Sequence, residues 1–417
     1  MKIIVELFWG YHVLLLILLI GIKLTIDTKF FQFRYFLKWI KESFNKSDDK
    51  DSISGFKALS TALAGSIGTG NIIGVSLAIS IGGAGSIFWM WVASIFGMMT
   101  VFAEVSLSKK FQTDNVKVGA FTYISKVCKG KTLVTVYAVG CVCSSLAMGN
   151  MAQSNSFTNS MAKFNVPSMF SAIFLAIIFF ILTKKGIQSI SKLTGILVPF
   201  MTIFFMTVSL VLIVKCRENI QPVLEEIASS AFTLQSCTGG GLYIAMKTGI
   251  SRSVFTNEAG LGLSSIVYSN VKGKSPKELG YLGIFQVFMD TIVMCTVTGF
   301  CILCATQNRT GEYLVYEAFT NQFGNFGAIT VNLSTALFAF ATMTATCYYG
   351  KTGLAFLTKN KFTYLFPYMF SLAAFIGALT PISLVFDICD VFNGLLAIPN
   401  LIALSCFCKE IIKITKE

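Results

Sequence analysis

The chain has 417 residues, 54% of them hydrophobic and 13% charged, whereas a soluble domain carries charge at about a quarter of its positions; this composition excludes an ordinary water-soluble globule. The formal net charge is +13, from 33 basic and 20 acidic residues, and its distribution points to membrane orientation rather than to nucleic acid. One histidine, His12, and scattered cysteines without paired zinc spacing leave little material for histidine chemistry or a metal centre.

A helix needs about 20 apolar residues to cross a bilayer. Eleven stretches are predicted to span, near 7–26, 58–81, 86–107, 133–160, 169–183, 192–214, 226–246, 280–305, 327–349, 363–377 and 381–407. The first is interrupted by Glu6 and lacks a small-residue cleavage site, so it reads as a span rather than a signal peptide. With eleven spans the loops alternate between two sides. One side holds 28 Lys and Arg, in 23–57, 109–131, 184–192, 247–277, 351–361 and 409–416. The other holds five: Lys2, Lys163, Lys215, Arg217 and Arg309. Positive charge collects on the cytoplasmic side, which predicts a cell (inner) membrane protein with its N-terminus outside and its C-terminus in the cytoplasm.

After the first span, residues 29–44 alternate aromatic and basic side chains. Phe30, Phe33, Phe36, Leu37 and Ile40 can share a helical face with Lys38 and Lys41 off it, as in a segment lying on the inner leaflet. The second span, ALAGSIGTGNIIGV at 62–75, carries Gly65, Gly68, Gly70 and Gly74 together with Ser66, Thr69 and Asn71. Two readings compete there: close packing through small residues, for which Gly70 and Gly74 have the spacing, or a helix broken at a binding site. In the third span Glu104 precedes Lys109 and Lys110, predicting an interfacial ion pair. The fourth, GNMAQSNSFTN, sets Asn150, Gln153, Ser154 and Phe157 on one face. Gln153 reads as a substrate ligand, Asn150 and Ser154 as links between helices. The seventh carries Ser236, Cys237, Thr238 and then Gly239, Gly240 and Gly241. Arg252, Thr256, Asn257 and Glu258 follow as a polar gate or a capped interfacial helix.

Acidic residues within spans are functional candidates. Asp290 in the eighth has no basic neighbour in sequence, leaving ion coupling and a helix-linking hydrogen bond both open; Asp387 and Asp390 fall in the eleventh. The ninth contains Ser334, Thr335, Thr342, Thr344 and Thr346, hydroxyls that either bond their own backbone or offer oxygen to a hard cation. Spans two and seven are five apart, so they open two groups of five with opposite orientations. Glycine-interrupted helices at matching positions of two inverted halves mark a transporter site. Unwound backbone is tolerated in a membrane only where protein buries it or it lines a cavity. The resulting division is an N-terminal helix 1–27, an amphipathic linker 28–57, five-helix repeats 58–214 and 215–407, and a tail 408–417.

These motifs, with FWMWVASIFGMMTVFAEVSL (88–107), GISRSVFTNEAGLG (249–262) and VFNGLLAIPN (391–400), resemble the alanine or glycine:cation symporter family along nearly the whole chain. The resemblance implies an all-α LeuT-type fold of two inverted five-helix repeats plus one N-terminal helix. It implies sodium-coupled import of a small neutral amino acid, with glutamine as an alternative and no enzymatic cofactor. It makes Gly68, Thr69, Gly70 and Asn71 the broken helix; the polar face of the fourth span and the glycine cluster of the seventh put Gln153, Gly239 and Gly240 beside the substrate. It brings the carbonyls of Ala64 and Ile67 together with Thr342 around sodium; Asp290, Asn257 and Glu258 remain, from their placement, candidates for coupling or gating. Three departures stand out. Ala341 replaces the Ser of an expected Ser-Thr pair, Ala345-Thr346 replaces Gly-Trp, and Lys351 replaces a Glu. A missing hydroxyl at 341 predicts a weakened sodium site unless water or Thr346 compensates. Proton coupling on the same fold is the first rival. A channel lacks its rings of charge, and an enzyme its nucleophile–base set.

Overall fold

In hydrocarbon an apolar run has no water to bond its amides, so it closes its own hydrogen bonds as helix. The computed structural model describes residues 2–44, 54–113, 118–127, 130–184, 187–232 and 241–417, and these are helix, turn and loop throughout. The chain opens with α1 (Lys2–Trp9) and α2 (Tyr11–Asp27), then two short helices, α3 (Phe31–Arg34) and α4 (Phe36–Ser43). A bent pair follows, α5 (Gly55–Ser66) and α6 (Ile73–Gly82), then α7 (Gly85–Lys110) and the short α8 (Phe121–Ile124). Helices α9 (Gly130–Leu146) and α10 (Ala152–Ala162) run through a π turn at Ala147–Met151. Next come α11 (Ser168–Leu182), α12 (Ile187–Lys215), α13 (Ile220–Ser230), α14 (Gly241–Asn257) and the short α15 (Ser265–Tyr268). Helices α16 (Pro276–Val287) and α17 (Thr296–Ala305) flank a π stretch at Phe288–Cys295. The chain ends with α18 (Leu314–Phe323), α19 (Asn325–Thr358), α20 (Phe366–Leu379), α21 (Ile382–Cys406) and α22 (Cys408–Lys416).

Among the described residues seven helical stretches are long and apolar enough to cross a membrane, and the bent pair α5–α6 adds an eighth; α11 and the stretch ending in α20 are shorter and apolar. Outward faces are bare hydrocarbon: Ile196, Phe200 and Ile203 on α12, and Phe170, Phe174 and Ile177 on α11, are exposed. An uninterrupted apolar surface of this kind suits lipid. Helix α7 lies inside, packed on α14 and α16, while α19 packs on α5, α9 and α12. The start of α16 shows how a helix end is fixed: Ser275 Oγ accepts from Glu278 N (3.2 Å), Glu278 Oε2 accepts from Ser275 N (2.7 Å), and Pro276 opens the helix.

Two expectations shift. The segment 29–44 is two helices meeting at Tyr35, with Phe30, Phe33, Phe36 and Leu37 exposed. The seventh span, expected at 226–246, is displaced: α13 ends at Ser230 and α14 runs from Gly241 to Asn257. Its sequence reads as loop because it holds Lys247 and Arg252. Both are paired, Lys247 with Glu6 on α1 and Arg252 with Asp390 on α21.

Candidate functional site

The α5–α6 bend of 56° can be traced amide by amide. A continuous helix would bond Gly68 N to Ala64 O, Thr69 N to Gly65 O and Asn71 N to Ile67 O. Gly68 N instead donates to Asn71 Oδ1 (2.9 Å), Thr69 N to Gln153 Oε1 (3.2 Å) and Asn71 N to Gly68 O (3.2 Å). The carbonyls of Ala64, Gly65 and Ile67 therefore lose their helical donors. Thr69 Oγ1 also donates to Gln153 Oε1 (2.9 Å), and Gln153 Nε2 donates to Met148 O in the π turn (3.1 Å). A small cavity at the bend is lined by Ser66, Gly68, Gly70, Gln153, Phe255 and Thr342. Ser66 Oγ and Thr342 Oγ1 are buried there without a hydrogen-bond partner among the described residues. Helix α19 comes so close that a Cβ on Gly68 would sit 2.4 Å from Thr342 Oγ1. Gly74 faces open space, with nothing within 4 Å of a Cβ built there, so it makes no tight packing contact and the small-residue reading does not hold at that position.

Asn71 links the bend to the π stretch: Nδ2 donates to Asp290 Oδ1 (2.9 Å), to Asp290 O (3.0 Å) and to Cys295 Sγ (3.3 Å). Thr291 Oγ1 donates to Asp290 Oδ2 (2.8 Å), and Asn257 Nδ2 to Thr291 Oγ1 (3.1 Å). Asp290 thus makes the helix-linking hydrogen bond that the sequence left open. Asn257 caps the end of α14, its Oδ1 accepting from Ala259 N (3.0 Å). It and Glu258 are buried. Glu258 Oε2 accepts from Ser264 Oγ (3.1 Å) while Oε1 has no partner.

Glu104 corrects its expectation. It is fully buried and makes no ion pair among the described residues; Lys109 donates to Val271 O, and Lys110 pairs with Glu410. Its Oε1 accepts from Gly260 N (2.9 Å), Gly262 N (3.1 Å) and Asn400 Nδ2 (2.6 Å). These bonds hold the non-helical stretch between α14 and α15. Asn150 Nδ2 donates to Phe370 O (2.6 Å), linking helices as expected, whereas Ser154 bonds within its own helix. Thr344 bonds its own backbone, and Thr346 Oγ1 lies within donating distance of Thr342 O and Gly149 O (2.8 Å each). Gly239 and Gly240 lie outside the described residues.

A family model described as the sodium:alanine symporter family matches residues 1–417. The chain belongs to the sodium:alanine symporter family. It is 36% identical to the sodium/alanine symporter AgcS of Methanococcus maripaludis, over 98% of this chain and 94% of that protein. It is 30% identical to a probable sodium/glutamine symporter, GlnT, of Bacillus subtilis, over 99% and 88%. Among solved structures it is similar to MhsT in complex with L-phenylalanine, with TM-score 0.58 and 15% identity, covering 89% of this chain and 99% of that one. It is also similar to the Eremococcus coleocola manganese transporter, with TM-score 0.54 and 13% identity, covering 84% and 75%. The fold is the LeuT-type transporter fold. As a member of this family the chain is a multi-pass membrane transporter and not an enzyme.

Proposed function

We propose that this symporter imports a small neutral amino acid, alanine or glycine, together with sodium. The observation that carries this reading is the bend at Ile67–Asn71. There the carbonyls of Ala64 and Ile67 have lost their helical donors, and the unpaired Thr342 hydroxyl reaches the same turn. Backbone carbonyls and a hydroxyl are the oxygen set that a hard cation takes. The amino acid would sit against Gly68, Thr69, Gly70 and Asn71, with Gln153 at its side. A Cβ on Gly68 would lie 3.3 Å from Gln153 Oε1, and walls this close favour a small side chain over glutamine. Sodium beside the substrate carboxylate neutralises it, so each binds better when the other is present, which is the coupling. Asp290, Thr291 and Asn257 form a polar chain that couples α14 to the bend, while Glu258, bonded to Ser264, stands beside it as a candidate for gating. The protein would lie in the cell membrane with the C-terminus in the cytoplasm, organised as one N-terminal helix and two inverted repeats, 58–214 and 215–407.

The test is uptake of labelled alanine into proteoliposomes, with an amino-acid competition panel and imposed gradients of sodium or protons. Sodium-driven accumulation with alanine and glycine as the best competitors is expected. Accumulation that follows a proton gradient and ignores sodium would overturn the sodium assignment. Glutamine as the strongest competitor would overturn the substrate.

A further inference from the structure

The expected Ser-Thr pair in α19 is Ala341-Thr342 in this chain, so one hydroxyl oxygen is missing from the sodium site described above. The structure offers a replacement from two turns along the same helix. Tyr349 is fully buried and its phenol oxygen has no hydrogen-bond partner among the described residues. That oxygen lies 2.7 Å from the place where a Cβ on Gly65 would be. Gly65 sits between Ala64 and Ser66 in the last turn of α5, in the segment whose carbonyls the bend releases.

The geometry is one of matched faces. Thr342 and Tyr349 are seven residues apart, about two turns or roughly 10 Å, on one side of α19. Gly65 and Gly68 are three apart and share a side of α5 and the turn after it. Thr342 meets Gly68, and Tyr349 meets Gly65. Side chains on a helix lean toward its N-terminus, so the ring of Tyr349 is carried back toward Thr342. A buried phenol hydroxyl without a partner is unfavourable for the fold alone, and its oxygen is free to coordinate.

We infer that the phenol oxygen of Tyr349 is a ligand of the coupling cation, a hard monovalent ion of the sodium class, standing in for the hydroxyl absent at Ala341. This rests on the sodium reading of the bend, and the experiment keeps the two apart. Binding of radioactive sodium to the purified full chain is measured at fixed pH and ionic strength for wild type, Tyr349→Phe, Ala341→Ser and the double variant. Wild type is expected to bind. Tyr349→Phe should weaken binding about tenfold or more, with thermal stability unchanged or raised, because only an unpartnered hydroxyl is removed. Ala341→Ser alone should change affinity less than threefold, and in the Tyr349→Phe background should restore most of the loss. Gly65→Ala leaves the tyrosine in place but sets a methyl 2.7 Å from its oxygen; displacing that oxygen should weaken binding similarly, and it decides the matter should Tyr349→Phe not yield folded protein. Wild-type binding with Tyr349→Phe or Gly65→Ala unaltered would overturn this inference alone. Absence of sodium binding by wild type would overturn the sodium reading and this inference with it.

Discussion

Two side-chain amides do the work that backbone carbonyls do in an ordinary helix. Asn71 Oδ1 receives Gly68 N, and Gln153 Oε1 receives both Thr69 N and Thr69 Oγ1. Leaving a buried donor unsatisfied costs about 1–3 kcal/mol, so truncation should let the turn relax toward a plain helix and reclaim the carbonyls of Ala64 and Gly65. Asn71→Ala and Gln153→Ala are therefore expected to lose alanine uptake by at least tenfold while the protein inserts and elutes as a monodisperse species. Normal transport by both variants would remove the bend from the binding site. Much of this was legible in the sequence. An Asn in a glycine-rich span and a Gln on a polar helical face have no business in lipid. Glu104 was misread because nearness in sequence was taken for nearness in space. Lys109 and Lys110 are five and six positions on, about 140° and 240° around a helix of 3.6 residues per turn, so neither shares the face of Glu104. Its partners come from α21 and from the stretch after α14, and no local pattern reports them.

That stretch is the element the sequence showed least. Between α14 and α15 the backbone turns left-handed at Glu258 (φ 60°), Gly260 (φ 90°) and Gly262 (φ 72°), and it is buried throughout. Irregular backbone at such depth needs substitutes for its missing helical bonds. Side chains from three other elements provide them. Glu104 takes Gly260 N and Gly262 N, Asn400 Nδ2 donates to Gly260 O (2.9 Å), and Tyr137 donates to Leu261 O (3.0 Å). Tyr123 in turn donates to Asn400 Oδ1 (2.5 Å) and fixes its amide. The sequence placed a break in this half at Gly239–Gly241, whereas the irregular stretch seen among the described residues is Glu258–Ser264. The π turns at Ala147–Met151 and Phe288–Cys295 were equally silent, since composition does not distinguish π from α geometry. Glu104→Ala removes the acceptor shared by two amides. Hydrogen exchange of the peptide covering 258–264 should quicken by at least tenfold in that variant and stay near wild type in Glu104→Gln, whose carbonyl oxygen can still accept. Equal exchange in all three proteins would show that Glu104 does not hold this segment.

At the scale of the whole molecule, the ion pairs test the sidedness drawn from charge. Lys110 pairs with Glu410 (2.8 Å), Lys274 with Glu42, and Lys351 donates to Thr183 O (3.0 Å). Each joins segments that the loop charges assign to one side. Arg309 pairs with Glu226, and Lys215 donates to Gln322 O (2.7 Å), among segments assigned to the other. Lys247 is the exception: its partner Glu6 is near the N-terminus, which moves it across, and Arg252 is interior with Asp390. Of the 33 basic residues this leaves 26 on one side and six on the other, counting described and undescribed positions of the sequence, so the positive-inside bias survives the displacement of the seventh span. The paired charges explain that displacement, because a hydropathy window cannot see that Lys247 and Arg252 are neutralised by α1 and α21. Reporter fusions at 46, 217, 309 and 417 are expected to read cytoplasmic, external, external and cytoplasmic. A fusion at 247 should read external, where the original span boundaries would have it cytoplasmic. Reversal at any two of the first four sites would overturn the topology. A cytoplasmic reading at 247 alone would restore the span at 226–246 and break the Lys247–Glu6 pair as evidence of sidedness.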